Sequence, residues 1–97
     1  MDKQRAIEIL QSRAIEARRF GATALYIFGS TARNQAREDS DVDMFVDYDP
    51  ERFGFVELIR LRESLSQALG RSADLTTRGG LHPMLKGKIE REAIRVF

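Results

Sequence analysis

The sequence predicts an α/β fold, a small mixed β-sheet flanked by helices, within a single domain over residues 1–97. Segments with apolar residues at helical spacing alternate along the chain with short, continuously apolar runs of strand length. A length of 97 residues and an apolar content of 42% are those of one folded domain with a single core.

The chain begins with a predicted helix over residues 2–19. Ile7, Leu10 and Ala17 recur at helical spacing, and Ile15 widens this apolar stripe. Asp2 is the expected N-cap, and a glycine at position 21 ends the helix. Residues 23–28 are too short and too continuously apolar for a surface helix, so they predict a buried strand.

A turn at Gly29 and Ser30 follows this strand, and residues 31–37 are predicted to form a short helix. A strand, a glycine turn and a helix N-terminus together favour an anion, because free backbone N–H groups and the helix dipole point at the same place. The sequence therefore predicts a phosphate site at this turn. A second strand is expected over residues 41–48, after a polar turn at residues 38–40.

The second half of the chain repeats the alternation. A second amphipathic helix ends at Gly70, and its predicted core-facing residues are Val56, Ile59, Leu65 and Leu69. A third strand is predicted over residues 72–77, and a last helix has Pro83 in its first turn and Leu85 on its packed face. Residues 94–97 either add an edge strand or cover the core.

Asp41 and Asp43 stand two positions apart in the second predicted strand. Successive side chains of a strand point to opposite faces, so the two carboxylates share one face and Val42, Met44 and Val46 take the other. At about 4 Å, two carboxylates repel by ~1 kcal/mol in water and ~4 kcal/mol at an effective dielectric of about 20. A divalent cation relieves this repulsion, and hard oxygen ligands suit Mg²⁺ or Mn²⁺.

Composition excludes several functional classes. A net charge of +1 predicts no attraction to a membrane surface and no direct nucleic-acid binding. The absence of cysteine excludes disulfides and thiolate metal sites. No apolar run approaches membrane-spanning length, and the N-terminus lacks a signal-peptide core, so the expected location is cytoplasmic.

Gly29-Ser30, ten residues, then Asp41-x-Asp43 and a later strand acid at Asp74 resemble the nucleotidyltransferase superfamily, which shares a polymerase-β-like core. Within it the chain looks most like the minimal nucleotidyltransferases (MNT, MntA-like). The motifs that carry this resemblance are Gly-Ser-x-Ala-Arg, Ser-Asp-Val-Asp, Asp74-Leu-Thr-Thr and Arg78-Gly-Gly-Leu-His-Pro.

The resemblance implies roles for the three acids. Asp41, Asp43 and Asp74 match the family's metal ligands, which hold two Mg²⁺ ions, with Mn²⁺ as a possible substitute. Asp74 also matches the position of the base that helps to deprotonate the acceptor hydroxyl. The alternative is that Asp74 has no catalytic role and is a single exposed acid on a short edge strand.

The resemblance also implies an ATP site. Gly29 and Ser30 match the turn that holds the triphosphate, and Arg33 would neutralise phosphate charge. Related sequences often carry glycine where this chain has Asn34, and asparagine is the next best residue for a left-handed backbone.

The function implied by the resemblance is transfer of AMP from ATP to a hydroxyl, a tyrosine, of a HEPN-domain ribonuclease toxin. The chain would then be the antitoxin of a hetero-oligomeric pair, with the acceptor held mainly by the partner. Two alternatives remain open at this point: an antitoxin that neutralises by binding alone, and nucleotidyl transfer to a small molecule. His82 is expected in a turn or interface, and Asp47 and Asp49 as surface acids.

Overall fold

The computed structural model describes residues 1–97. The helices are α1 (Lys3–Gln11), α2 (Ala14–Phe20), α3 (Gly29–Ala32), α4 (Phe55–Leu69) and α5 (Lys86–Glu92). The strands are β1 (Ala22–Phe28), β2 (Val42–Tyr48), β3 (Ala73–Thr77) and β4 (Ile94–Arg95), and a 3₁₀ turn covers Arg78–Gly80. None of the helices combines the length and the apolar character needed to cross a bilayer.

The four strands form one sheet in the order β3-β2-β1-β4. β1 pairs antiparallel with β2 and β4, whereas β2 pairs parallel with β3. The parallel pair requires a crossover, which α4 provides between the two strands. The predicted α/β fold with a mixed sheet is therefore confirmed, and the C-terminal segment supplies an edge strand.

One face of the sheet carries the main core. Met44 and Val46 of β2 are fully buried there, as the strand alternation predicts, and they pack in one cluster with residues of α1, α2 and α4. The cluster includes Leu10, Ala17, Leu25, Ile27, Val42, Leu61, Leu65 and Leu75. The opposite face of β2 carries Asp43, Phe45 and Asp47.

The predicted first helix is wrong in its continuity, because the structure breaks it into α1 and α2. The Ser12 hydroxyl donates to the Ile9 carbonyl, and Arg13 leaves helical geometry with φ −103° and ψ 8°. Arg13 also donates from Nη1 to Ser64 Oγ of α4 at 3.1 Å. The break shifts the phase of the helix, and Ile15, predicted on the packed stripe, is 70% exposed. The predicted N-cap is confirmed, since Asp2 accepts the Arg5 N–H at 2.8 Å.

The core face of α4 also differs from the prediction at its start. Leu61, Leu65 and Leu69 are buried, whereas Val56 is 54% exposed. Val56 lies five residues before Leu61, about 140° around the helix, and so faces solvent. The first turn is held instead by the Glu57 side chain, which accepts the Gly54 N–H at 2.8 Å.

The two short helices are shorter than predicted. α3 spans Gly29–Ala32 and is followed by Asn34 with φ 59°, the left-handed conformation expected for this residue. α5 begins at Lys86, not near Pro83, because Leu85 and Lys86 first close a turn onto the His82 carbonyl. Leu85, predicted on the packed face, is consequently 51% exposed.

Candidate active site

Two of the predicted site residues are brought together by the pairing of β2 and β3. Asp43 lies directly opposite Asp74 in the parallel register of the two strands. Residues opposite each other in a sheet project their side chains to the same face. Asp43 and Asp74 therefore share the face opposite the main core.

Asp43 is half-buried, and its surroundings disfavour its charged form. Burial raises the pKa of the Asp43 carboxyl, and the charges of Asp74 and Asp41 and a hydrogen bond with Asp74 raise it further. The positive charge of Arg33 acts in the opposite direction. A carboxylate desolvated beside like charges has the chemistry of a cation ligand rather than of a solvated surface acid.

Asp41 is the one of the three predicted acids that lies outside the paired strands. β2 begins at Val42, one residue later than predicted, so Asp41 lies exposed just before the strand. Its charge still reaches Asp43. No three acidic or histidine side chains are arranged as a complete ligand set for one metal ion. The structure thus pairs Asp43 with Asp74 and leaves Asp41 at the rim.

Gly29 is positioned against the same carboxylates. It follows Phe28, the β1 residue that pairs with Asp43, and has φ +70°, a conformation that other residues rarely adopt. A Cβ atom built on Gly29 would lie 2.5 Å from Asp43 Oδ2. Only glycine therefore lets the backbone of this turn approach the Asp43 carboxylate so closely.

The other two predicted nucleotide-binding residues follow Gly29 closely, Ser30 within α3 and Arg33 directly after its last residue. Ser30 is half-buried, and the Arg33 side chain is 47% exposed. Arg33 Nη1 lies 3.2 Å from Glu92 Oε1 of α5, and the Gly29 N–H donates to the same oxygen at 3.3 Å. Gly29, Ser30 and Arg33 thus border the carboxylate pair on the β1 side.

Sequence analysis named Arg78 only as part of a motif and gave it no role, whereas its side chain contacts the same face of the sheet farther along β2. Its guanidinium donates to both oxygens of Asp47 at 2.8 Å and to Glu90 Oε2 of α5 at 2.6 Å. It also lies over the rings of Tyr26 and Phe45, 5.0 and 4.8 Å from their centroids.

Asp47 does lie near the end of β2 with a side chain that is 32% exposed, but the interpretation as a surface acid left out its ion pair with Arg78. The hydrogen bonds from Arg78 lower the pKa of its carboxyl. The sequence did indicate that Asp47 lies on the same face of the sheet as the site, since Asp43 and Asp47 are four positions apart in one strand. Glu92 left no comparable signal, because its partners are 59 and 63 residues away. His82 lies in a turn, as expected, where Nδ1 accepts the Met84 N–H.

The donor atoms of these acids are of the kind that a hard divalent cation prefers, although the three carboxylates do not form a complete ligand set. Asp43 and Asp74 offer adjacent carboxylate oxygens on one open face, and Asp41 adds a third carboxylate at the rim. Their mutual repulsion is what a bound Mg²⁺ or Mn²⁺ would relieve. Asp41 and Asp74 are exposed, so another molecule can reach these carboxylates from solvent.

Comparison with known sequences places this site in context. Residues 6–96 match the profile of the family described as nucleotidyltransferase domain. A Methanocaldococcus jannaschii protein assigned as a protein adenylyltransferase is 39% identical over 77 residues, which cover 79% of this chain and 82% of that protein. The protein adenylyltransferase MntA of Thermococcus cleftensis is 37% identical over 78 residues, or 80% and 78% of the two chains.

Solved structures show the same fold. One described as a minimal nucleotidyltransferase aligns with a TM-score of 0.76 and 37% identity, over 97% of this chain and 95% of the other. A toxin–antitoxin protein solved with AMP-PNP aligns with a TM-score of 0.69 over 90% of this chain and 72% of its own. Its identity to this chain is 19%, so this second likeness concerns the fold alone.

Proposed function

Because the chain belongs to the nucleotidyltransferase domain family, we propose that it transfers AMP from ATP to a hydroxyl group of a partner protein. The acceptor we propose is a tyrosine of a HEPN-domain ribonuclease toxin. Transfer of AMP to this tyrosine would inactivate the toxin. The observation that carries the proposal is the register of Asp43 with Asp74 beside the Gly29 turn. Two relatives that are 39% and 37% identical to this chain over the aligned residues are named protein adenylyltransferases.

The proposed reaction is a displacement at the α-phosphorus of ATP. The acceptor oxygen forms a bond to this phosphorus, the bond to the oxygen bridging the α- and β-phosphates breaks, and pyrophosphate leaves. Asp74, on the exposed side of the pair, takes the hydroxyl proton. Asp41, Asp43 and Asp74 would hold two Mg²⁺ ions, or Mn²⁺, which supply charge stabilisation to the attacking and leaving oxygens.

The Gly29 turn provides the phosphate end of the site. Its backbone N–H and the Ser30 hydroxyl are the proposed donors to the triphosphate, and Arg33 the proposed counter-charge. The position of Arg33 supports this role, because its charge reaches Asp43 and opposes the rise of that pKa. The same guanidinium would neutralise phosphate oxygens beside the carboxylates.

The acceptor end of the site supports a protein substrate. Asp41 and Asp74 are exposed, so a side chain presented by another protein can reach them without entering a cavity. A toxin as the source of that side chain is in keeping with the toxin–antitoxin protein of similar fold.

The test is the intact mass of the HEPN toxin co-expressed with this chain. We expect an adenylate-sized increment with the wild-type chain and none with the double variant Asp41→Ala, Asp43→Ala. Glu63→Ala is the matched control, because Glu63 is an exposed acid on α4. The increment should persist with this control. A toxin that stays unmodified yet silenced by both the wild type and the double variant would contradict the proposal and favour neutralisation by binding.

A further inference from the structure

Glu92, the last residue of α5, contacts the turn that we assign to the nucleotide phosphates. Its Oε1 accepts the Gly29 N–H at 3.3 Å and lies 3.2 Å from Arg33 Nη1, and its Oε2 lies 3.4 Å from the same nitrogen. A carboxylate of this chain therefore uses a backbone N–H and a guanidinium that would otherwise be available to a phosphate.

Helix stability does not explain an acid at this position. A negative charge at the C-terminal end of a helix is unfavourable, because the free carbonyl groups there carry the negative end of the helix dipole. Nor is Glu92 needed to hold α5 against the sheet. The preceding acid, Glu90, does this through Arg78 Nη1 at 2.6 Å.

The contacts of Glu92 are longer than the other charge-assisted hydrogen bonds on this face of the sheet, and therefore weaker. Charge-assisted hydrogen bonds are usually about 2.7–2.9 Å long. The bonds of Arg78 to Asp47 and Glu90 fall at 2.6–2.8 Å, whereas the contacts of Glu92 measure 3.2–3.4 Å. The Glu92 side chain is also 24% exposed, so it has solvent into which it can turn.

We propose that Glu92 is an internal anion that occupies the phosphate position between Gly29 and Arg33, and that a nucleoside triphosphate must displace it to bind. This inference rests on the proposed nucleotide site. Only one side chain has to move, because Arg78 keeps α5 in place through Glu90. Glu92 pairs with Arg33 when no nucleotide is present and weakens nucleotide binding by competing for the same donors.

The test is the affinity of the isolated chain for an ATP analogue with a methylene group between the α- and β-phosphates, measured by calorimetry with Mg²⁺. This analogue cannot transfer AMP, so binding is read without turnover. An exposed ion pair contributes up to about 1 kcal/mol, which corresponds to roughly a fivefold change in the dissociation constant. We expect Glu92→Gln to bind the analogue roughly fivefold more tightly than the wild type. Glu63→Gln, which makes the same charge change on α4, should stay within about twofold of the wild type.

A second measurement separates competition from a positioning role. In the absence of nucleotide, Glu92→Gln should unfold at a slightly lower temperature, because it loses the pair with Arg33, while its affinity for the analogue rises. Glu92→Asp shortens the side chain but keeps the charge, and should tighten binding less than Glu92→Gln. Weaker or unchanged binding by a folded Glu92→Gln variant would overturn the inference. A wild-type chain that binds no analogue would overturn the proposed nucleotide site itself.

Discussion

Asp43 is the residue at which stability and chemistry conflict. Its carboxyl is half-buried beside Asp74 and Asp41, and all of these features raise its pKa above the ordinary value of 3.8. A group whose pKa is raised on folding destabilises the fold once the pH is high enough to ionise it. The packing of the protein thus disfavours the charged form of Asp43, as expected of a group retained for binding or catalysis.

We predict that Asp43→Asn is more stable than the wild type at pH 7 in EDTA, although AMP transfer is lost. The amide keeps the shape of the side chain and removes the repelled charge. The stability contributed by protonated Asp43 is fully present below pH 3.8 and is lost as the pH rises through the higher pKa of the folded state. The advantage of the variant should therefore shrink as the pH is lowered toward 3.8. Thermal unfolding at several pH values measures it, and a variant that melts below the wild type at pH 7 would contradict the prediction.

Thr31 and Thr77 differ in whether their hydroxyl groups have a hydrogen-bond partner, so replacing each by valine tests what that bond contributes to stability. Thr31 is 2% exposed and its hydroxyl has no partner, whereas the Thr77 hydroxyl accepts the Gly80 N–H at 3.1 Å. We expect Thr31→Val to raise the free energy of unfolding by roughly 1 kcal/mol, since it removes an unsatisfied buried group. Thr77→Val should lower it by roughly 1 kcal/mol, since it removes a cap. Urea unfolding measures both, and equal losses would show that the Thr31 hydroxyl has a partner.

The site residues that the sequence located are those with local signals. Asp43 follows a period-two pattern within one strand, and Gly29 stands at a strand–turn junction, so neighbouring residues suffice to place them. Glu92 and Arg78 depend on partners 12 to 63 residues away, which no local pattern encodes. Whether the predicted residues perform the roles assigned to them stays a prediction.

At the scale of elements, Arg78 joins β2 to the 3₁₀ turn and α5. It makes paired bonds to Asp47, one bond to Glu90, and contacts two aromatic rings of the sheet. These bonds raise the pKa of the guanidinium and lower that of Asp47. Because α5 also carries Glu92, the Arg78 contacts fix the distance between this helix and the Gly29 turn.

We predict that Arg78→Lys lowers the free energy of unfolding by about 1–3 kcal/mol, because an ammonium group cannot make the forked contact with Asp47. The contribution of this pair is present above pH 3.8 and is lost as the pH falls through the lowered pKa of Asp47. The difference between the wild type and the variant should therefore narrow only below pH 3.8. Urea titrations at neutral and acid pH measure it, with Arg71→Lys as the control, since Arg71 donates only to the Arg37 carbonyl. A difference that does not depend on pH would contradict the assignment.

The predicted elements were right in kind and wrong mainly at their ends. The break at Ser12 was missed because it arises from a side-chain bond to the Ile9 carbonyl and from the contact of Arg13 with α4, neither of which alters the apolar periodicity. The delayed start of α5 has a similar origin in the turn at His82. β1 and β2 were placed well because a short, continuously apolar run and a period-two pattern are both local signals of burial.

At the scale of the whole molecule, nucleotide binding should couple to global stability. A ligand that binds only the folded chain adds about 2.7 kcal/mol at a concentration one hundred times its dissociation constant. For a domain of about this size, that corresponds to a rise of roughly 10–20 °C in melting temperature. We expect Mg²⁺ with ATP to produce such a rise in the wild type and a much smaller one in the double variant Asp41→Ala, Asp43→Ala. Scanning calorimetry over a range of ATP concentrations tests this, and identical shifts in both proteins would contradict it.

The parallel register of β2 and β3 has a consequence for how the gene can change. Asp43 and Asp74 are separated by 30 residues, among them the loop before α4 and the whole of α4, yet they meet because of strand pairing alone. An insertion into the loop at residues 50–54 leaves that pairing untouched, whereas one residue inserted between Val42 and Asp43 would move Asp43 to the opposite face of β2. Homologues can therefore differ widely in the spacing between the two acids and still assemble the same pair. A search for distant members of the family should allow that spacing to vary and hold the phase of the strands constant.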